Sequence, residues 1–139
     1  MNVENVINDL VGYDNLKIVQ NSNYFNFSLE SVMIPRFCVL KNNMKIIDFC
    51  TGNAPIPMIL STLTNSNIIG VELQKEVYNL AVQSIKINNL EDRITLLNMN
   101  VLDIFNVYET DSFDLITCNP PYFRVNEFSN LNNNMIKSI

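Results

Sequence analysis

The chain has 139 residues, which is enough for one ordinary domain. Its 14 acidic residues outnumber nine basic ones, and the formal net charge is −5. So acidic a chain is a poor polyanion binder by itself, which argues against a nucleic acid as its sole partner but leaves a local basic face open. The sequence contains no histidine. That excludes zinc sites and Ser-His or Cys-His nucleophilic sites, and we expect no bound metal.

The cysteine pattern and the hydropathy indicate where the protein works. Cys38, Cys50 and Cys118 form no C-x-x-C pair and suit a reducing compartment. The N-terminus shows no signal-peptide pattern, and no run approaches the ~18 apolar residues of a membrane span. We therefore expect a cytoplasmic protein with no membrane partner.

The first predicted part of the chain is a helix and strand segment over residues 1–43. Ser28 is a suitable N-cap for a helix, and Pro35 should kink or divide that helix. The predicted elements are a short helix at 1–12, a strand at 16–20 and a helix at 29–40.

The second predicted part, residues 44–123, alternates buried apolar runs with helical patterns. Short loops between the two predict βαβ units, and hence an α/β fold with a parallel sheet and helices on both faces. Residues 124–139 are rich in Asn and Ser, and we expect a loose tail unless a partner orders it. The predicted strands cover 44–49, 67–72, 93–99 and 113–118, and the helices start at Pro55, run over 73–88 and form one turn at 101–105.

Ligands of open parallel sheets bind beyond the carboxyl ends of the strands. Polar residues stand at four successive strand ends, and together they predict one site. The four groups are 48–53, Glu72, 100–103 and 119–122.

The first two strand ends favour a cofactor without a phosphate. The turn after the first strand has a single glycine, Gly52, whereas a dinucleotide site would need G-x-G-x-x-G. Asp48 is able to bind an ammonium directly or through water, or simply to cap the next helix. Glu72 lies about 20 residues beyond the turn, where a carboxylate accepts ribose hydroxyls. The alternative for Glu72 is a favourable interaction with the helix dipole.

The fourth strand end carries Asn119, Pro120, Pro121 and Tyr122. Two prolines cannot continue a sheet, so they make a rigid corner. The oxygen of the Asn119 side chain and a neighbouring backbone carbonyl are able to accept from an exocyclic NH₂, while Tyr122 stacks on the ring. A rigid loop without a ligand is the alternative interpretation.

Together these motifs resemble the class I S-adenosylmethionine-dependent methyltransferases that carry N-P-P-Y and methylate planar nitrogens. Several segments are similar to the bacterial valine-tRNA adenine-N6 methyltransferases, which act on the adenine beside the anticodon. The similar segments are 25–33, 47–53, 69–74 and 117–123, and the resemblance covers roughly residues 10–128.

The resemblance implies a Rossmann-like fold of which this chain carries the N-terminal part, with about four core strands. It implies S-adenosylmethionine as the cofactor and tRNA as the substrate. The family often has Asp where Asn100 stands, with Asp103 close by. The implied catalytic residues are Asn119, Pro120, Pro121 and Tyr122, and the implied cofactor-binding residues are Asp48, Cys50, Gly52, Asn53, Glu72, Leu73, Asn100 and Val101.

The chain departs from the family pattern in ways that keep alternatives open. Ala54 replaces a usual Gly and is expected to crowd the cofactor carboxylate, and Pro35 stands where a helix former is usual. The family fold continues with further strands, so we expect a truncated chain whose fourth strand is an exposed edge, open to self-association or to a separate C-terminal half. The alternative functions are glutamine methylation in release factors and an inactive remnant or half-protein.

Overall fold

The structure is a computed structural model, and it describes residues 4–24 and 26–122. The described chain opens with an antiparallel hairpin of β1 (Val6–Leu10) and β2 (Tyr13–Gln20). The helix predicted for residues 1–12 is therefore wrong. Gly12, at φ 81°, supports the tight return, and the Asn8 amide donates to Gln20 over 2.7 Å across the strands. Side-chain pairs across the two strands stabilise the strand rather than the helix, and the spacing of residues within the segment does not reveal such pairs.

Helix α1 (Leu29–Phe37) follows the hairpin. Ser28 occupies the predicted N-cap position, but its side chain makes no capping hydrogen bond. Pro35 lies in the last turn and does not divide the helix, which ends three residues before the predicted boundary. The N–H of Cys38 closes this end by donating to the Pro35 carbonyl over 3.3 Å.

The core of the fold is a parallel four-stranded sheet, as predicted. Its order is β5-β4-β3-β6, so among the described residues β6 lies at one edge, where the sequence placed it. In register, Asp48 of β3 sits between Gly70 of β4 and Thr117 of β6. The strands are β3 (Ile46–Phe49), β4 (Ile68–Glu72), β5 (Ile94–Asn98) and β6 (Leu115–Cys118).

The two faces of the sheet are covered differently. Ile46, Ile68 and Ile94 face a large core that α1, α2 (Pro55–Leu63), α3 (Lys75–Ile87) and the hairpin complete. Ile47 and Val71 face a smaller core closed by a short 3-10 helix, Val101–Asn106, and the loop after it. Pro55 begins α2, as its fixed φ favours. No helix within residues 4–24 and 26–122 is long and apolar enough to cross a bilayer.

The hairpin is attached to the core by buried polar contacts. The Asn53 amide donates to the Val19 carbonyl over 2.9 Å, and the Val19 N–H donates to Ser84 Oγ over 2.9 Å. Leu10 and Ile18 of the hairpin belong to the large core. The N-terminal segment thus packs against α2 and α3, while the predicted part boundaries at 43/44 and 123/124 remain predictions. The tail predicted for 124–139 lies outside the described residues.

Candidate functional site

A single open cleft lies at the carboxyl ends of the strands, where the sequence predicts the site. Every predicted site residue except Asp48 lines this cleft. The lining residues from the predicted set are Cys50, Gly52, Asn53, Glu72, Leu73, Asn100, Val101, Asn119, Pro120, Pro121 and Tyr122. Residues that the site prediction missed include Ser28, Ser31, Thr51 and Gln74.

Asp48 lies beneath the cleft and is completely buried. Its carboxylate accepts from Thr51 Oγ1 over 2.6 Å and from Thr117 Oγ1 over 2.7 Å. Burial raises the pKa of Asp48 to about 7, although the two hydroxyl donors oppose the rise, and the charge of Glu72 adds to it. Asp48 does not line the cleft, whereas Thr51, which donates to it, does, so the contact of Asp48 with an ammonium, directly or through water, stays a prediction.

Glu72 joins the first two strand ends. Its Oε2 accepts from the Gly52 N–H and its Oε1 from the Gln74 N–H, both over 2.9 Å. Burial raises the pKa of Glu72, and these backbone donors, with that of Leu73, oppose the rise. With the Leu73 N–H counted, about one of the four lone-pair sites of this carboxylate remains for a ligand that enters the cleft.

Two glycines make room at this end of the sheet. Gly52 has φ 60°, and a Cβ there would meet no atom within 4 Å, because it would point into open space. Gly70 is the opposite case, since a Cβ there would lie 2.9 Å from Leu96 Cδ2 and 3.0 Å from Thr51 Oγ1. The first glycine leaves space for a ligand, and the second leaves space for Thr51.

The turn after Gly52 differs from what the sequence suggested. Ala54 has φ 70°, the left-handed conformation that a glycine would adopt easily. Its side chain is fully buried in the large core and does not line the cleft. The expected crowding of a cofactor by the Ala54 Cβ therefore does not arise in this structure.

The third strand end contributes Asn100 and Val101. The Asn100 side chain caps the 3-10 helix by accepting from the Leu102 N–H over 3.0 Å, which leaves its NH₂ group for the cleft. Asp103, considered from the sequence as a second contact, is exposed and does not line the cleft.

The Asn-Pro-Pro-Tyr corner contacts the start of α1. Asn119 Nδ2 donates to Ser31 Oγ over 3.0 Å and to Ser28 Oγ over 3.3 Å. Partial burial and the nearby Glu30 carboxylate raise the pKa of Tyr122. The similarity noted for 25–33 was the sequence signal for this segment. Phe25 and Phe123, which belong to the quoted motifs, lie outside the described residues.

Two cysteine thiols lie at the ends of neighbouring strands in the cleft region. Cys50 follows β3 and Cys118 ends β6, close enough for each thiol to affect the pKa of the other. Burial raises the pKa of Cys50 to about 12 and also raises that of Cys118. Both therefore stay as thiols at neutral pH and supply neutral packing rather than a nucleophile.

The parallel sheet, with its cleft at the strand ends and its Asn-Pro-Pro-Tyr corner, defines a Rossmann-like domain of the class I methyltransferase type. Residues 40–137 match the family described as methyltransferase domain. The chain belongs to that family, and the class predicted from the motifs is confirmed.

Relatives of two specificities share this domain. A release factor glutamine methyltransferase of Lactococcus lactis is 33% identical over 98 residues, which are 70% of this chain and 34% of that protein. A tRNA1(Val) (adenine(37)-N6)-methyltransferase of Mannheimia succiniciproducens is 30% identical over 96 residues, which are 68% of this chain and 39% of that protein. The chain thus spans about a third of the length of these relatives, and their names leave the acceptor open.

Solved structures show the same fold. A putative transferase of Pyrococcus horikoshii superposes with a TM-score of 0.61 at 20% identity, over 72% of this chain and 38% of that one. P. horikoshii TYW2 in complex with MeSAdo gives a TM-score of 0.60 at 20% identity, over 71% and 37%. M. capricolum TrmK in complex with S-adenosyl-homocysteine gives 0.56 at 18% identity, over 66% and 39%.

Proposed function

We propose that this chain provides the cofactor cleft and the acceptor corner of an S-adenosylmethionine-dependent methyltransferase that modifies the N6 amine of an adenine in tRNA. The observation that carries the proposal is that Asn119 and Tyr122 line the same cleft as Gly52 and Glu72. One cleft therefore joins a place for a methyl donor to a place for a planar amine. The family match and the S-adenosyl compounds of two structural neighbours support the choice of cofactor.

The described residues fit this cofactor by their chemistry. Glu72 accepts a ribose hydroxyl with its remaining lone pair, and Gly52 leaves the space in which the ligand approaches the backbone. Leu73 and Val101 form an apolar wall beside the adenine ring of the cofactor. The side-chain amide of Asn100 is available for a hydrogen bond to that ring. Cys50 and Asn53 flank the methionine end, with Asp48 acting from below through Thr51.

In this proposal the Asn-Pro-Pro-Tyr corner binds the methyl acceptor. The Oδ1 of Asn119 and a backbone carbonyl of the corner accept the two N–H bonds of the amine, while Pro120 and Pro121 keep the loop rigid. Tyr122 is 57% exposed, so a base is able to reach its ring and stack on it. The bound cofactor supplies a methyl group on a sulfonium and leaves as S-adenosylhomocysteine. The protein contributes alignment of the amine, which is a large part of such catalysis.

Glutamine methylation in a release factor is the second candidate, because relatives with that name match at similar identity. The same corner accepts from a primary amide as well as from an adenine amine. The exposed ring of Tyr122 favours adenine, since an aromatic base stacks on it whereas a glutamine side chain does not.

An inactive remnant, or a half-protein with a separate C-terminal partner, is the third candidate. Ile116 of β6 is 54% exposed, and it offers an apolar contact beside a strand edge that no strand within residues 4–24 and 26–122 pairs with. Self-association through this edge uses the same contact. Methyl transfer that appears only after a chain with the remaining strands is added would support the half-protein.

A methyl-transfer assay separates these functions. The purified chain receives S-adenosylmethionine with a tritiated methyl group and either unmodified valine tRNA or a release factor. We expect label in the tRNA, and Asn119→Ala should lower transfer by roughly 100-fold. Asn79→Ala, on the exposed face of α3, is the matched control.

The outcomes assign the acceptor. Label in the release factor but not in tRNA would replace the adenine proposal by the glutamine one. A chain that binds no S-adenosylhomocysteine at millimolar concentration, measured by calorimetry, contradicts a methyltransferase function for this chain alone.

A further inference from the structure

The cleft carries carboxylates and no cationic side chain. Glu72 lines it, and a second carboxyl group, that of Asp48, accepts from Thr51 in its wall. Within residues 4–24 and 26–122, no lysine or arginine lines the cleft. A phosphate or carboxylate on a ligand therefore has no positive side chain to pair with there, whereas a cationic group is attracted by the carboxylates.

The start of α2 offers few backbone donors to an anion. The free N–H groups at the beginning of a helix usually bind phosphates and carboxylates. In α2 the first and third residues are Pro55 and Pro57, which have no N–H. The Ala54 N–H, just before the helix, already donates to the Thr51 carbonyl over 3.0 Å. This helix start therefore lacks most of the donors that a carboxylate would use.

The turn that leads into α2 leaves mainly acceptors for a ligand. The Gly52 N–H donates to Glu72 Oε2, and the Asn53 Nδ2 donates to the Val19 carbonyl, both over 2.9 Å. The carbonyl oxygen Oδ1 is thus the end of the Asn53 amide that remains for the cleft, which Asn53 lines. Of the N–H groups of residues 51–54, only that of Asn53 has no partner within the described residues.

We propose that this end of the cleft recognises the ammonium group of the cofactor and not its carboxylate. The inference rests on the proposed function, in which Cys50 and Asn53 flank the methionine end. An ammonium group has three hydrogens to donate, and its charge is attracted by the carboxylates of Glu72 and Asp48. The carboxylate of the cofactor is left in the solvent of the open cleft. An S-adenosyl ligand without a carboxylate therefore binds as well as one that has it.

A simpler expectation is that the dipole of α2 attracts the carboxylate of the cofactor. The positive end of a helix dipole consists of the unpaired N–H groups of the first turn, and two of these are missing in α2. The N–H between the two prolines belongs to Ile56, which is buried and does not line the cleft. The dipole therefore has little means of reaching a ligand.

Three thioether ligands separate the two charged groups. S-adenosylhomocysteine carries both, its decarboxylated analogue keeps only the ammonium, and its deaminated analogue keeps only the carboxylate. Isothermal titration calorimetry on the full chain measures the affinity of each. We expect the first two ligands to bind within about threefold of each other, and the deaminated analogue to bind at least about tenfold more weakly than either.

Two proline variants test the missing donors. Pro55 is the first residue of α2 and lines the cleft, so Pro55→Ala adds an N–H to the cleft wall. This variant should bind the deaminated analogue at least about threefold more tightly than the wild type does, with unchanged affinity for the decarboxylated one. Pro57→Ala is the matched control, because it adds an N–H in the same turn at a residue that does not line the cleft. Each variant loses one proline, so the loss of chain rigidity is similar in both.

The outcomes separate this inference from the proposed function. An affinity that depends on the carboxylate as strongly as on the ammonium overturns the inference and leaves the cofactor proposal in place. A chain that binds none of the three ligands contradicts the cofactor proposal, and the inference fails with it. Equal affinities of Pro55→Ala and Pro57→Ala for the deaminated analogue would overturn the role given to the missing N–H of Pro55.

Discussion

The backbone N–H of Gly52 donates to Oε2 of Glu72 over 2.9 Å, and this bond ties the end of β3 to the end of β4. The other carboxylate oxygen holds the Gln74 N–H at the start of α3. One buried side chain thus fixes the loop after each of two neighbouring strands. The shape of the cleft and the charge offered to a ribose therefore depend on the same residue.

Glu72→Gln should weaken the binding of S-adenosylhomocysteine by roughly tenfold or more, because hydrogen bonds to a charged group contribute about 1.5–3 kcal/mol. The new NH₂ group would also face one of the two backbone donors. Isothermal titration calorimetry measures the affinity, and Glu91→Gln, at an exposed site, is the control. Equal affinity in both variants would show that Glu72 serves the fold only.

Gly52→Ala should reduce cofactor affinity at least about tenfold at modest cost in stability. The methyl group would point into the open cleft, and the left-handed φ of 60° costs an alanine about 1–2 kcal/mol. Urea unfolding and calorimetry on the same sample separate the two effects. A loss of stability with unchanged affinity would place the ligand elsewhere in the cleft.

Gly70→Ala should show the reverse pattern. Its Cβ would lie 2.9 Å from Leu96 Cδ2 and 3.0 Å from Thr51 Oγ1, so the core must shift, at about 1–3 kcal/mol. Urea unfolding should therefore detect a larger loss of stability than in Gly52→Ala. Leu96 Cδ2 is the end of a flexible side chain. An unchanged midpoint of urea unfolding would therefore mean that this side chain moves aside at no cost.

The sheet could be predicted from the sequence because buried parallel strands are continuous apolar runs. All four strands of the sheet lie within the predicted ranges; each starts one or two residues later than predicted, and β5 also ends one residue earlier. The lining of the cleft followed from the same argument, since the carboxyl ends of parallel strands meet at one edge. Sequence reasoning therefore works here wherever the topology alone brings residues together.

The misses depend on packing that the sequence does not encode locally. Ser31 and Asn119 are 88 residues apart in the sequence and meet only because α1 packs beside the corner. Asp48 lies at the predicted position along its strand, but its hydrogen bonds to Thr51 and Thr117 were not predicted, and its contact with a cofactor stays a prediction. The β1 strand is held by pairing with β2 and has a largely exposed surface, so it carries no buried pattern.

Tyr122 offers a test of stacking. Tyr122→Phe keeps the ring and loses only the hydroxyl, so methyl transfer to tRNA should fall only about threefold. Tyr122→Ala removes the ring, and stacking of one base contributes about 1–3 kcal/mol, so KM for tRNA should rise roughly 10- to 100-fold. Steady-state kinetics measure both variants. Equal effects of the two changes would assign the role to the hydroxyl instead of the ring.

The buried Asp48 should make the stability of the chain depend on pH. Its pKa is about 7 in the folded chain and 3.8 in its ordinary state, because burial disfavours the charge. Between these values the unfolded chain has lost the proton that the folded chain keeps, so the free energy of unfolding decreases as pH rises. Asp48→Asn removes this dependence, and its stability relative to the wild type should rise on the order of 2–3 kcal/mol from pH 5 to pH 7.

Urea unfolding of both proteins at several pH values measures that difference. The pKa of Glu72 is also raised, but Glu72 is present in both proteins, so the difference isolates Asp48. Asp92→Asn, in an exposed turn, should follow the wild-type curve. Parallel curves for wild type and Asp48→Asn would mean that Asp48 is ionised throughout this range, and that the two threonine hydroxyls offset the cost of burying its charge.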